Sequence, residues 1–488
     1  VAFDVDEEVL TCQGVKAIPV ADAAIEPDGG KVVIRRSAQM DTLTQAVIYA
    51  DRITQHHRIF DAQVAISGAA GYIASGKVNY RDTGGRTTAL KVLSMTPSPD
   101  GISRGRGEIP VEEGFRLGPA FAYQGDFELD AGRPHFTFDG LVQPAQACSG
   151  FERNWIQFRG EINPQDIAIP VGAEPRGLLG EVLNLGVMVS RDTPFGAFPA
   201  FFSVRQELSD LPLIPVSGWL KFDATQKRFL VGSAEGFADS TQWGNWLEVS
   251  TATCEVRVHG VADWPLDWGM MEADFIGEAW VDAEGGMRMK GSMMLDFPFE
   301  DKLLGLMATT VPGWPGTAPV DLYAAGYQEH LRHWMGEEAE DAMRELELAG
   351  QFRKIPKPLQ HTVALTGLQL YWDASEDAFV SEGPLNLVSL GSHQVFLAVQ
   401  GKMEWVPSRS GDLFRMYLHG DDQNWYFFEY KIGVMNISTP DFGFRDALLE
   451  LKADERKAKG ENGEKFLYQY LASKKKRDDF VDRFRDFE

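Results

Sequence analysis

The sequence predicts a mainly β protein made of several curved antiparallel sheets, arranged as jelly-roll or sandwich-like modules, with one helical insertion and a C-terminal helical tail. Three observations lead to this fold class. A nine-residue pattern with a central glycine recurs along the chain, short alternating segments follow one another without helices between them, and helical periodicity is confined to late stretches of the chain.

The recurring pattern places apolar residues two and four positions away on both sides of a glycine. Its copies are centred on Gly76, Gly125, Gly140, Gly160, Gly218, Gly260, Gly277, Gly291 and Gly401. Alternate residues of a strand face the same side, so each glycine leaves a notch in the apolar face. Because glycine inside a strand usually marks a bend or a close approach, the repetition predicts strongly curved sheets. The close pairs Gly125 with Gly140 and Gly277 with Gly291 predict adjacent antiparallel strands with aligned glycines.

The first 311 residues predict two β domains. Residues 15–80 alternate in short bursts about 12 to 14 residues apart, and no helical segment stands between them, which disfavours a parallel α/β fold. Glycine, proline and serine over residues 95–107 predict a loop. We expect a first β domain over residues 1–155 and a second over residues 156–311.

The composition changes after residue 311. A proline-rich link leads into residues 321–348, where apolar side chains recur at threes and fours among Glu and Arg, so we expect a helical insertion over residues 312–358. Strand patterns resume as a third β region over residues 359–440. Residues 441–488 are charged and amphipathic, which predicts the C-terminal helical tail.

The totals restrict the partners. The chain has 488 residues, which favours several domains, and 47 Lys and Arg against 71 Asp and Glu give a net charge of −24. Such a charge repels a phosphate backbone, so we expect no nucleic acid partner. No apolar run approaches the roughly 20 residues of a transmembrane helix. Since the chain begins at Val1 and runs directly into acidic sequence, we expect it to be a fragment of a longer polypeptide.

The three cysteines constrain the redox compartment weakly. A disulfide framework needs a larger and even number of cysteines, whereas this chain has three, Cys12, Cys148 and Cys254. None of them belongs to a CxxC pair. Buried thiols and a single disulfide both remain open.

One helical segment has a spacing that a metal site could use. His330, His333 and Glu337 stand at positions i, i+3 and i+7, so they share a helix face and could converge on one ion. The order is not HExxH, and surface helices carry such clusters by chance. The alternative is a solvated helix face.

Tryptophans beside carboxylates form a second candidate site. Trp264 and Trp268 stand among Asp263, Asp267 and Asp274. Exposed indoles next to carboxylates suit a sugar platform, and a glycosidase needs two carboxyl groups at a defined separation. The alternative is packing in a core or between sheets, where aromatic side chains bury large areas.

Common catalytic and cofactor motifs are missing from the sequence. It contains no GxSxG elbow, no GxxxxGK[ST] phosphate loop and no GxGxxG in a strand-to-helix context. We therefore expect no cofactor and favour a function without catalysis.

Two stretches carry a resemblance to a known group of proteins. The first covers residues 136–170, with FDG, Cys148 and the run WIQFRGEINPQDIAIPV, and the second is NWYFFEYKIGVM over residues 424–435. Together they resemble the C-terminal portion of large uncharacterised β-rich proteins of Bacteroidetes-type bacteria, which look like exported envelope proteins. The resemblance implies the periplasm or cell envelope of a Gram-negative bacterium. It also implies partners among other envelope proteins or the larger remainder of the same polypeptide.

A second similarity is to the curled β-jelly-roll modules of envelope lipid-transport proteins, which also use short strands punctuated by glycine. Curved sheets with apolar linings could leave a groove for acyl chains, although a filled core is the commoner outcome. The sequence thus predicts first a non-enzymatic envelope scaffold or binding protein. The alternatives are a carrier of lipid or lipopolysaccharide and a carbohydrate-active enzyme using Asp263, Asp267 or Asp274, so lipid and glycan are the expected small partners.

Overall fold

A computed structural model describes the chain over residues 1–190, 196–204, 210–239, 244–264, 269–324, 326–408, 410–461 and 463–484. The protein is mainly β, with several antiparallel sheets and a few helices that include a C-terminal one, which confirms the predicted fold class. The chain divides into two compact units. Unit 1 comprises Val1–Leu183, Phe202–Val204 and Gly218–Val231, and unit 2 comprises Asn184–Phe201, Arg205–Ser217 and Gly232–Glu488.

The strands from β1 to β16 belong to unit 1. In chain order the strands are β1 (Ala2–Asp4), β2 (Val9–Cys12), β3 (Ile18–Val20), β4 (Ala23–Glu26), β5 (Val32–Arg35), β6 (Gln39–Met40), β7 (Leu43–Ala50), β8 (His57–Gly68), β9 (Gly71–Arg81), β10 (Thr87–Pro97), β11 (Ser103–Ile109), β12 (Arg116–Gly118), β13 (Phe121–Asp130), β14 (Phe136–Pro144), β15 (Ile156–Ile162) and β16 (Ile169–Val171).

Most strands of unit 1 form one antiparallel sheet in the order β15-β14-β13-β11-β10-β9-β8-β7-β4-β3, with β12 beside β13. A smaller sheet has the order β1-β2-β5-β6. Neighbours in the large sheet are mostly neighbours in sequence, as short polar links between strands require. Along β9 the side chains of Tyr72, Ala74, Val78 and Tyr80 are buried and alternate with more exposed residues, so one face of the sheet forms the core.

The later strands are β17 (Leu183–Ser190), β18 (Gly196–Val204), β19 (Asp210–Pro215), β20 (Gly218–Asp223), β21 (Arg228–Gly232), β22 (Trp246–Ser250), β23 (Val256–Asp263), β24 (Glu272–Val281), β25 (Met287–Asp296), β26 (Ala318–Pro319), β27 (Val363–Asp373), β28 (Ala378–Glu382), β29 (Leu385–Leu390), β30 (His393–Val406), β31 (Leu413–Asp421), β32 (Asn424–Lys431), β33 (Val434–Ser438), β34 (Lys457–Lys459) and β35 (Lys465–Tyr470).

In unit 2 the strands from β22 to β35 join one sheet in sequence order, with further pairings such as β25 with β27. The pairing of β33 with β35 is parallel. Aromatic and methionine side chains fill its inward face, and Met293, Met403 and Trp405 are fully buried.

The helices are α1 (Ala234–Ala238), α2 (Asp301–Thr310), α3 (Tyr327–Met335), α4 (Ala339–Ala349), α5 (Phe442–Glu450) and α6 (Lys475–Asp482). Helices α3 and α4 lie within the predicted insertion and pack on a buried cluster that includes Met294, Ala364 and Val388. The predicted helical tail contains α5 and α6, with β34 and β35 between them. The segment Lys465–Tyr470 alternates between buried and more exposed residues and pairs with β33. It is therefore a strand and not part of a helix, as its alternation of period two requires.

Helix α6 closes over the sheet of unit 2. Phe480 packs with Tyr417, Trp425 and Phe427. The fully buried carboxylate of Glu404 contacts Arg415 at 2.9 Å and Arg483 at 2.8 Å. Since a buried charge without a partner is strongly destabilising, the arginines hold this helix and the sheet together.

All nine glycines of the recurring pattern lie in strands, as predicted. Gly125 lies opposite Gly140, and Gly277 lies opposite both Gly260 and Gly291, which confirms the predicted alignment. A Cβ added at Gly277 would lie 2.3 Å from the Lys290 carbonyl oxygen and 2.6 Å from the Gly291 Cα. Glycine is therefore required where the backbones of these strands approach each other.

Two of the three cysteines are oxidised. Cys148 and Cys254 are each disulfide-bonded, whereas Cys12 is a free, partly exposed thiol. Among the described residues no helix combines the length and apolar character needed to cross a bilayer.

Candidate functional site

The glycine row of unit 2 lies beside two rows of polar and aromatic residues. The first row runs in register across β22, β23, β24, β25 and β27 through Trp246, His259, Glu278, Lys290 and Gln369. The second, two residues further along each strand, comprises Glu248, Arg257, Trp280, Arg288 and Tyr371. Residues two apart share a face, and the glycines are one residue away, so both rows lie on the face opposite the glycine notches. We call these ten residues the polar face.

A cavity of about 720 Å³ lies against the polar face. Trp246, His259, Glu278, Trp280 and Lys290 line it from the strands, and Glu329, His330, Arg332 and His333 line it from helix α3. The volume falls within the range of small-molecule sites. Both charge signs and two indoles meet in it, so the cavity suits a polar ligand with an extended ring or chain.

His259 is the most specifically placed polar group of the cavity. Its Nε2 lies 2.6 Å from the Glu329 carboxylate, and its ring stacks on Trp246 at a centroid distance of 5.9 Å. The hydrogen bond from His259 lowers the pKa of Glu329. His259 is 8 % exposed, and its Nδ1 has no hydrogen-bond partner among the described residues. Nδ1 of His259 is therefore a buried polar atom beside the cavity that no described group satisfies.

His330 has a different role, because its polar atoms are already engaged. Its Nδ1 hydrogen-bonds the Ser292 hydroxyl, which in turn contacts the Thr366 hydroxyl at 2.8 Å. Burial lowers the pKa of His330 to about 4, so the imidazole is neutral near pH 7. This buried network attaches helix α3 to the sheet and so positions one wall of the cavity.

The predicted metal ligands are not gathered into a site. His330 is buried against Ser292, while His333 and Glu337 are exposed. Helix α3 ends at Met335 because Gly336 has a positive φ of 55°, so Glu337 does not continue the helix face that the i+7 spacing assumed. In the part of the chain that the structure describes, no group of three His, Cys, Asp or Glu side chains is placed to hold a metal ion.

The predicted tryptophan platform is only partly described. Trp264 is 9 % exposed, stacks on Trp405 at 5.6 Å and packs edge-on against Phe379, which is the packing alternative. Asp267 and Trp268 lie outside the described residues. Asp263 lies opposite Asp274 in the register of β23 and β24.

Sequence reasoning missed the polar face. Each of its strands shows only a weak alternation of polar residues, and Trp280 appears isolated in sequence from Trp246, His259 and Lys290. The signal lies in the register, because aligning Gly260, Gly277 and Gly291 also aligns His259, Glu278 and Lys290 one position away.

No family model, curated protein or solved structure matches the chain. The fold and the site define a mainly antiparallel β protein with an aromatic and charged sheet face under a short helix. Its function has to be argued from that face.

Proposed function

We propose that this is a non-enzymatic binding protein of the cell envelope and that the polar face of unit 2 binds a glycan. One observation carries the proposal. The polar face places Trp280 and the unpartnered Nδ1 of His259 beside a cavity whose other polar groups include both donors and acceptors.

Trp280 supplies the stacking surface. It is half-buried and lines the cavity, and its ring contacts no aromatic ring or cation of the described residues. Arg257 and Arg288 lie opposite it on the two neighbouring strands. An indole presents a flat apolar face with a polar edge, which suits the C–H face of a sugar ring. Gln369, which is exposed on β27, then offers its amide group to sugar hydroxyls.

The cysteines support the envelope setting. Disulfides persist in oxidising compartments such as the bacterial periplasm and are rare in the cytosol. Cys148 and Cys254 are both disulfide-bonded. An exported location is therefore the compartment that suits this chain, and glycans are abundant chemical partners there.

The alternatives receive less support from the contacts. A lipid carrier needs an open apolar groove, whereas Met289, Met293 and Leu365 are buried on the inward face of unit 2. A glycosidase needs two available carboxyl groups, whereas the two carboxylates lining the cavity are engaged, Glu278 by Arg257 at 3.4 Å and Glu329 by His259.

A glycan array probed with the purified protein tests the proposal. We expect binding to a subset of oligosaccharides and a loss of about tenfold in affinity for Trp280→Ala, because stacking of a sugar ring on the indole is worth roughly 1 kcal/mol or slightly more. Trp219→Ala is the matched control, since Trp219 is 37 % exposed and belongs to unit 1.

Two results would contradict glycan binding by the polar face. One is an array without any bound glycan, and the other is wild-type affinity in Trp280→Ala. Native mass spectrometry adds a separate check, because co-purified lipid would favour the carrier alternative, whereas we expect the mass of the protein alone.

A further inference from the structure

We infer that the glycan bound by the polar face is acidic and that Arg288 and Lys290 hold a uronate carboxylate. The inference rests on the proposed glycan binding and adds the chemical class of the ligand.

Arg288 and Lys290 form a pair of exposed cations on one strand. They are two residues apart on β25, so they share a face with Cα atoms about 7 Å apart. Neither has an ion-pair partner within the described ranges. Their neighbours are engaged, since Arg257 contacts Glu278 at 3.4 Å and Arg332 contacts Glu340 at 3.3 Å.

The charge of the chain makes this pair informative. With 71 acidic residues and a net charge of −24, the protein has carboxylates in excess. Glu278 lies opposite Lys290 in the register of β24 and β25, yet its carboxylate contacts Arg257, so neither Arg288 nor Lys290 forms an ion pair within the described residues. Like charges side by side repel each other, and an anion between them removes the repulsion. A solvated pair elsewhere on the surface would need no further explanation. Here Lys290 lines the cavity and Arg288 lies directly opposite Trp280.

The groups around the pair fit a carboxylated sugar. On β27, Tyr371 lies opposite Arg288 and Gln369 lies opposite Lys290. Burial raises the pKa of Tyr371, so its hydroxyl stays a neutral donor. Arginine and lysine donate to the carboxylate, the amide of Gln369 binds ring hydroxyls, and Trp280 stacks against the ring. His259, two strands away from Lys290 in the same row, lines the same cavity and extends the site along the row.

The test compares uronate-containing oligosaccharides with their methyl esters on one array, because esterification removes the charge and keeps the sugar backbone. We expect the acids to bind and the esters to lose about tenfold or more in affinity, as for charge-assisted hydrogen bonds. Lys290→Gln and Arg288→Gln should each lose about tenfold for the acids and little for the esters. Lys431→Gln is the matched control, since Lys431 is exposed on β32 and does not line the cavity.

The outcomes separate the two proposals. Equal binding of acids and esters, or wild-type affinity in both Lys290→Gln and Arg288→Gln, overturns the acidic ligand while glycan binding stands. Binding of neutral glycans alone would also overturn the acidic ligand and leave glycan binding in place. An array without any bound glycan overturns both proposals. Circular dichroism of each variant shows whether a loss of binding reflects loss of the fold. Affinity for the methyl ester on the same variant is a second control, because a misfolded variant would lose binding to acid and ester alike.

Discussion

Two histidines beside the same sheet respond to pH in opposite directions. Burial lowers the pKa of His330 to about 4. For His361, burial alone would lower the pKa, but the Asp296 carboxylate 2.6 Å from Nδ1 raises it overall. The folded state therefore binds protons less readily than the unfolded state at His330 and more readily at His361. Acidification destabilises the protein through His330 and stabilises it through His361.

We predict that His330→Gln flattens the acid side of the stability profile. Between the ordinary pKa of 6.5 and the folded-state pKa of about 4, His330 is protonated in the unfolded state and neutral in the folded state. The free energy of unfolding therefore falls as pH falls. From pH 7.5 to pH 5 this one group should cost the wild type about 2 kcal/mol. The measurement is urea unfolding at both pH values, in which the variant should lose less stability than the wild type over the same interval.

The control for this prediction is His56→Gln, because His56 is exposed. It should keep the wild-type pH dependence. An equal loss of stability in wild type and His330→Gln would show that His330 titrates normally in the folded protein. The comparison between variant and wild type cancels the opposite contribution of His361.

At the scale of the strands, the aligned glycines make a quantitative prediction. Gly277→Ala should destabilise the protein by about 3 kcal/mol or more, because the new methyl group would meet the backbone of β25 rather than a movable side chain. Gly172→Ala is the matched control, since a Cβ there meets nothing within 4 Å. It should change the free energy of unfolding by less than about 0.5 kcal/mol. Denaturant midpoints of the two variants provide the measurement, and similar midpoints would contradict the need for glycine at the row.

Strand patterns could be predicted because period two is local information. The nine glycine-centred strands and the pairing of Gly125 with Gly140 follow from alternation and short spacing. Other elements depend on distant partners. Strand β35 occurs within a charged, amphipathic stretch because β33 pairs beside it, and that partner lies about 30 residues away. Helix α6 was predictable from its apolar periodicity, whereas its ion pairs to Glu404 and Glu429 were not.

The candidate site was likewise predictable only where its signal is local. Helical spacing in the sequence identified His330 and His333 as candidate site residues, and both line the cavity. Their predicted chemistry assumed an uninterrupted helix and free imidazoles, but Ser292 engages His330 and the helix ends at Met335. Trp280 and Lys290 could be assigned to one face only after strand order and register were known.

At the scale of the whole molecule, the division into units is also non-local. The chain passes between the two units near residues 183, 201, 204, 217 and 231, where no shift of composition marks a boundary. Unit membership is decided by which strands pack together, and alternation within a strand carries no information about that choice. The predicted insertion over residues 312–358 was visible because its period differs from that of its flanks.

The oxidation state of the cysteines gives the prediction that bears on the whole molecule and its compartment. Protein purified without reductant and then unfolded should expose one reactive thiol per chain, that of Cys12, because Cys148 and Cys254 are disulfide-bonded. After reduction the count should rise to the three cysteines of the sequence. Mass spectrometry of alkylated peptides measures both counts, and Cys12→Ser should give none before reduction. Three reactive thiols in non-reduced protein recovered from the periplasm would contradict the oxidised state of Cys148 and Cys254, and the envelope proposal would then lose its support from cysteine chemistry.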